Sequence, residues 1–177
     1  WKECEPAMVF SSITFLLYFL PAIGVLYALV PKAAKNPVLF LGSLFFYAWG
    51  EPRYVLLMLF SIGMNYVFGI KLEEARSAGL SPGKRRLHLA AAVGLNLLPL
   101  FIFKYLGMFA SLWEMISHHN RSLPSPALPI GISFYTFQAL SYVVDVDRGT
   151  VSAQRNFLSF GLYITMFPQL IAGPIVR

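Results

Sequence analysis

"VFSSITFLLYFLPAIGVLYALV", Val9 to Val30, runs for 22 residues without a charge. A helix crossing the hydrocarbon of a bilayer needs about 20 predominantly apolar residues. Thirteen of these positions are Val, Ile, Leu or Phe. Each such residue favours insertion by roughly 0.3–0.6 kcal/mol at a helix centre. No basic segment precedes the run and no small-residue cleavage site follows it, so it reads as a retained span rather than a signal peptide. The whole chain has the same character. Of its 177 residues, 57% are hydrophobic and 12% are charged. Ordinary soluble domains carry about 25% charged residues. So few charges could not cover the surface of a water-soluble domain this long.

Working outward from Val9–Val30, five further apolar runs follow: Val38–Trp49, Tyr54–Ile70, Leu87–Ala110, Leu128–Val144 and Phe157–Val176. Val38–Trp49 has only 12 residues. It is either a tilted short span or a re-entrant piece. The expected fold is therefore all-α: a multi-span integral membrane helical bundle with about six membrane segments, some short or kinked. Residues 71–86 are expected to form the main hydrophilic loop. Residues 111–127 form a second, irregular or only briefly helical.

Charge placement orients the bundle. With six crossings, the segments 31–37, 71–86 and 145–156 share one side and hold nine Lys and Arg, against four on the other. Basic residues favour the cytoplasmic side. The N-terminus is thus expected outside and residues 71–86 in the cytoplasm. Tyr47, Trp49, Tyr54, Tyr105 and Trp113 suit the headgroup level of the outer face. The net charge of +6 lies between apolar runs, so it speaks for orientation and not for nucleic acid. Cys4 is the sole cysteine, which excludes an internal disulfide.

Few residues carry chemistry. His88, His118 and His119 lie at the ends of runs or between them, and no acidic or cysteine neighbours give them metal-ligand spacing. "GISFY" at 131–135 lacks the second glycine of a nucleophile elbow. Lys104 is the only Lys, Arg, Asp or Glu within an apolar run. It either snorkels to the interface or lines a polar cavity. "DVDR", Asp145 to Arg148, marks the cytoplasmic boundary. It reads as an ion-paired turn with Gly149 supplying backbone freedom, or as a contact for an anionic donor through Arg148. In "MFPQLIAGPIVR", Met166 to Arg177, two prolines interrupt the helix and Gln169 adds an amide. Broken helix at membrane depth is tolerated where it packs in protein or lines a water-filled cavity. Gln169 either faces such a cavity or is satisfied by a neighbouring helix.

Several blocks carry a family resemblance: "MVFSS" at 8–12, "FYAW" at 46–49, "NYVFGI" at 65–70, "FKY" at 103–105, "LPIGISFYTFQALSYVVDV" at 128–146, "RG" at 148–149 and "FPQLIAGPIVR" at 167–177. In this order they resemble the N-terminal part of a membrane-bound O-acyltransferase of the bacterial alginate O-acetylase type. The resemblance implies a multi-span enzyme of the bacterial cell membrane. Such an enzyme moves an acyl group, typically acetyl, from a cytoplasmic acyl-CoA or acyl-carrier thioester to hydroxyls of an exported polysaccharide, with extracytoplasmic acetyltransferase proteins as partners. It implies no bound cofactor or metal. D-alanyl transfer to teichoic acid is a variant within the family. A transporter or channel subunit, or a non-catalytic partner-binding protein, would be another class. Residues 8–177 correspond to the family domain, and 1–7 read as upstream or non-native sequence. By family order the catalytic histidine falls beyond Arg177, so residues 1–177 alone are expected to be inactive. Lys104, Asp145, Arg148, Gln169 and Arg177 remain as conduit or donor-side candidates. Close relatives often have His where this chain has Gln169, and an aromatic where it has Asp147.

Overall fold

The computed structural model describes residues 15–50, 52–79, 81–117 and 131–166. Among them all regular structure is helical. A π-helical turn, Phe15–Phe19, leads into α1 (Leu20–Leu29). A 3-10 turn at Lys32–Ala34 opens α2 (Lys35–Gly50), and another at Pro52–Tyr54 opens α3 (Val55–Ser77). Then come α4 (Pro82–Ser117), α5 (Ile132–Arg148) and α6 (Phe157–Thr165). The all-α expectation holds.

The element ends differ from those expected. Residues 71–86 are not a loop: α3 continues to Ser77 and α4 starts at Pro82. Hydropathy marks where hydrocarbon ends, not where a helix ends. "KLEEAR" is polar but made of strong helix formers, so the helix runs on past the apolar run. Gly79, at φ +62, breaks it. Pro82 opens α4, where a missing N–H costs nothing. The short run at Val38–Trp49 lies within a longer helix, the 16 residues of α2. Its Pro37 falls in the first turn, whose N–H groups have no helical partner in any case. Helix α4 runs on through "SLWEMIS" to Ser117, so the expected outer loop begins later.

Helix α3 is the centre of the packing and touches α2, α4, α5 and α6. Its Met58, Ile62 and Leu72 are wholly buried, against Tyr135, Val143 and Val146 of α5 and Phe160 and Ile164 of α6. Gly69 lets α5 approach closely, since a Cβ there would come 2.8 Å from the Tyr142 hydroxyl. Helix α1 buries none of its residues and packs on α2. A cluster of Phe15, Phe19 and Phe46 with Ile23 joins the two.

Large apolar side chains face outward: Leu29 is 78% exposed, Leu56 76% and Leu87 69%. Apolar surface on this scale suits lipid, not water. Two segments, Pro52–Ser77 and Gly83–Tyr105, are long and apolar enough to cross a bilayer. The chain is a membrane protein. Its helix ends are sorted. Arg76 Nη1 near the end of α3 donates to the Val146 carbonyl on the last turn of α5 (2.9 Å). Arg85 at the start of α4 meets Asp147 there too. Asn36 at the start of α2 donates to Ser159 at the start of α6 (3.2 Å). The segments 31–37, 71–86 and 145–156 thus meet at one end of the bundle.

Candidate functional site

This end is built around a strap, residues 149–156, between α5 and α6. Helix α5 closes on a two-bond glycine cap. Gly149, at φ +82, donates to the Val146 carbonyl (3.1 Å), and Thr150 donates to that of Asp145 (3.0 Å). A Cβ at Gly149 would meet only the movable guanidinium of Arg76, so it is the backbone conformation that asks for glycine here. The strap then lies across α3. Glu73 accepts from the Ala153 N–H (2.9 Å) and pairs with Arg155 (3.2 Å). Tyr66 Oη donates to the Arg155 carbonyl (2.7 Å), and the Gln154 N–H donates to Tyr142 Oη (3.0 Å). Asn156 caps α6 by accepting from the N–H groups of Leu158 and Ser159.

Two clefts flank the strap and share Ser152 and Gln154. One, of about 540 Å³, is bounded by Glu73, Glu74, Ser77 and Arg155. The other, of about 330 Å³, lies between α5 and α6 and is bounded by Tyr142, Asp145, Val151, Ser159, Phe160 and Tyr163. From it a polar face runs inward along α5. Asp145, Tyr142, Gln138 and Tyr135 are spaced by 3, 4 and 3 residues, which puts them on one side of a helix. They span about 15 Å. Tyr142, Gln138 and Tyr135 are at most 8% exposed. Gln138 donates to the Tyr163 carbonyl (2.6 Å), and among the described residues no hydrogen-bond partner reaches the Tyr135 hydroxyl.

The sequence candidates divide. Asp145 and Arg148 come together on the last turn of α5, Asp145 at the second cleft and Arg148 exposed. The expected ion-paired turn is helical, and its pair is made elsewhere. Asp147 receives Arg85 of α4, with Nε 2.8 Å from Oδ1 and Nη2 3.4 Å from Oδ2. Lys104 lies away from the strap, exposed, next to Phe103, whose ring packs edge-on against Tyr54 at the start of α3. Its ammonium sits 5.9 Å from the Tyr105 ring. Gln169, Arg177, His118 and His119 lie outside the described residues. His88, inside α4, has Nδ1 2.8 Å from the Lys84 carbonyl.

Sequence reading missed a pair in the bundle interior. Asn65 of α3 and Asn96 of α4 exchange amide hydrogen bonds of 2.8 and 2.7 Å. Their remaining donors go to the Ser61 and Ala92 carbonyls, each 2.8 Å away. Both residues are buried, at 0% and 2% exposure. The available signal was a lone asparagine within each of two consecutive apolar runs.

Comparison with known proteins bears directly on these elements. The probable alginate O-acetylase of Pseudomonas syringae is 38% identical over 172 residues, and that of Pseudomonas aeruginosa 38% over 174. Each comparison covers 96% of this chain. The chain is similar to the alginate O-acetylases along nearly its whole length. The resemblance carried by "LPIGISFYTFQALSYVVDV" and "FPQLIAGPIVR" is borne out. A peptidoglycan O-acetyltransferase of Helicobacter pylori is 29% identical over 199 residues. The chain spans about one third of the length of the alginate O-acetylases it matches: 33% for both Pseudomonas proteins. No family model matches the chain, and no solved structure matches it.

Proposed function

We propose that this chain belongs to a membrane O-acyltransferase that transfers an acyl group, most specifically acetyl, to hydroxyls of an exported polysaccharide. The observation that carries the reading is the similarity of nearly the entire chain to proteins named for polymer O-acetylation. Those names favour acetyl over D-alanyl transfer, and an enzyme over a channel. The six apolar runs cross the bilayer with the N-terminus outside and the strap in the cytoplasm, where acyl-CoA or an acyl-carrier thioester is available. The cleft between α5 and α6 admits the thioester, Asp145 borders its mouth, and Arg148 attracts the donor's anionic groups. The polar face of α5 then lines the path inward, and Gln169 and Arg177 serve the same conduit. Lys104 serves the opposite, outer boundary.

The reaction forms a C–O bond between the acceptor hydroxyl and the acyl carbon and breaks the C–S bond of the thioester. The hydroxyl proton passes to a base and the thiolate leaves. A buried histidine suits the base, and donors must meet the developing oxyanion. By family order that histidine follows Arg177. Where an extracytoplasmic acetyltransferase partner intervenes, its hydroxyl is the first acceptor, and a second transfer from that ester to a polymer hydroxyl regenerates it.

The test is deletion of the complete gene in its host and assay of base-labile acetyl on the exported polysaccharide. Loss of acetyl that the intact gene restores supports the reading, and unchanged acetylation overturns it. Orientation is tested separately by Ser81→Cys and an impermeant thiol reagent. Protection in intact cells is expected, and ready labelling from outside would reverse the topology.

A further inference from the structure

Helix α6 stops after nine residues. Its last residue is Thr165, and Met166, at φ −53 and ψ 113, has left the helix. The sequence explains the stop. Pro168 has no N–H to offer the Ile164 carbonyl, and it disfavours helical geometry at the residue before it. The last four carbonyls of any helix lack an intrahelical donor. Tyr163 owns one of these carbonyls, and Gln138 Nε2 lies 2.6 Å from its oxygen. Gln138 is 3% exposed and projects from the polar face of α5. A second side chain acts on the same turn: Thr165 Oγ1 donates to the Gly161 carbonyl (2.9 Å), a back-bond that tends to bend helices.

We infer that Gln138 is a positioning residue: its amide supplies the donor that the broken helix lacks and fixes where α6 ends. The activity readout of this inference rests on the function proposed above. Among the described residues, the donor that meets the Tyr163 carbonyl is this side chain on α5.

The test uses the protein expressed from its complete gene, purified in detergent. Gln138→Leu keeps the volume and removes the donor. It should lower the thermal unfolding midpoint and reduce kcat about tenfold to a hundredfold, with KM for the thioester unchanged. In a Pro168→Ala background the helix can continue and give Tyr163 its backbone donor. Gln138→Leu should then lower the midpoint by less than half as much. Equal losses in the two backgrounds overturn the inference, as does native behaviour of Gln138→Leu. Gln138→Glu decides the matter if the Leu variant does not accumulate. Its protonated carboxyl can donate to the carbonyl and its carboxylate cannot, so turnover relative to the native protein should rise as pH falls. A ratio that is flat with pH overturns the inference. The thermal coupling needs no acyl-transfer assay, so failure of the proposed function and failure of the cap are told apart.

Discussion

Helix α4 is tied to its neighbours twice, by different chemistry. At its start Arg85 pairs with Asp147 of α5, and the Arg85 side chain is 38% exposed. Eleven residues later, roughly 17 Å along the helix, Asn96 pairs with Asn65 of α3, and both are buried. Ions appear where water reaches one partner, and neutral amides appear where it does not. A dry ion pair must offset several kcal/mol of desolvation per ion. A reciprocal amide pair loses far less solvation and saturates both oxygens and all four N–H groups here.

The sharpest way to break this comparison is to remove one amide. Asn96→Leu strands Asn65 in the interior, and stability should fall by about 1–3 kcal/mol, the desolvation cost of an unsatisfied buried group. Replacing both residues by Leu should recover much of that loss, because no polar group is then left without a partner. The coupling between the two positions should therefore exceed the roughly 0.6 kcal/mol average of polar pairs in membranes. Equilibrium unfolding of the four proteins in mixed detergent measures it. Strictly additive losses would mean that the two amides do not act as a unit.

The ion pair should respond differently. Asp147→Asn should cost no more than about 1 kcal/mol, because Arg85 is partly wet and screened. Raising salt from 0.05 to 0.5 M should shrink the difference between native and variant, whereas the Asn96→Leu difference should not move. A large, salt-independent loss for Asp147→Asn would put the pair in the same class as the amides.

The two ties were also unequally legible. Charge counting grouped 71–86 with 145–156 on one side, and the structure brings them together. It could not say that Arg85 meets Asp147, because partner choice depends on the rotation of α4 and α5 and not on spacing. The amide pair was invisible because hydropathy averaging absorbs one Asn in a long apolar run. Gln138 was hidden in the same way, inside a block read for its resemblance. Asp145 was found because it sits where a run ends, and Arg148 beside it. Helix ends were misread at 71–86, since strong helix formers continue a helix after the apolar signal has stopped. The turn at Gly79 and Pro82 was the better marker.

The smallest effect belongs to the strap, and it separates a charge from an acceptor. Glu73 performs both roles: one oxygen pairs with Arg155, whose side chain is 71% exposed, and the other accepts the Ala153 N–H. Glu73→Gln keeps an acceptor for Ala153 and gives up the charge. It should change stability by no more than about 0.5 kcal/mol, in line with exposed pairs. Glu73→Ala removes the acceptor as well and should release the strap locally. The readout is amide hydrogen exchange at Ala153, which should be little changed in Glu73→Gln and clearly faster in Glu73→Ala. Equal acceleration in both would assign the strap's position to the Arg155 charge. The tie at the strap end would then be ionic throughout, and the contrast with the interior amides sharper than the geometry alone implies.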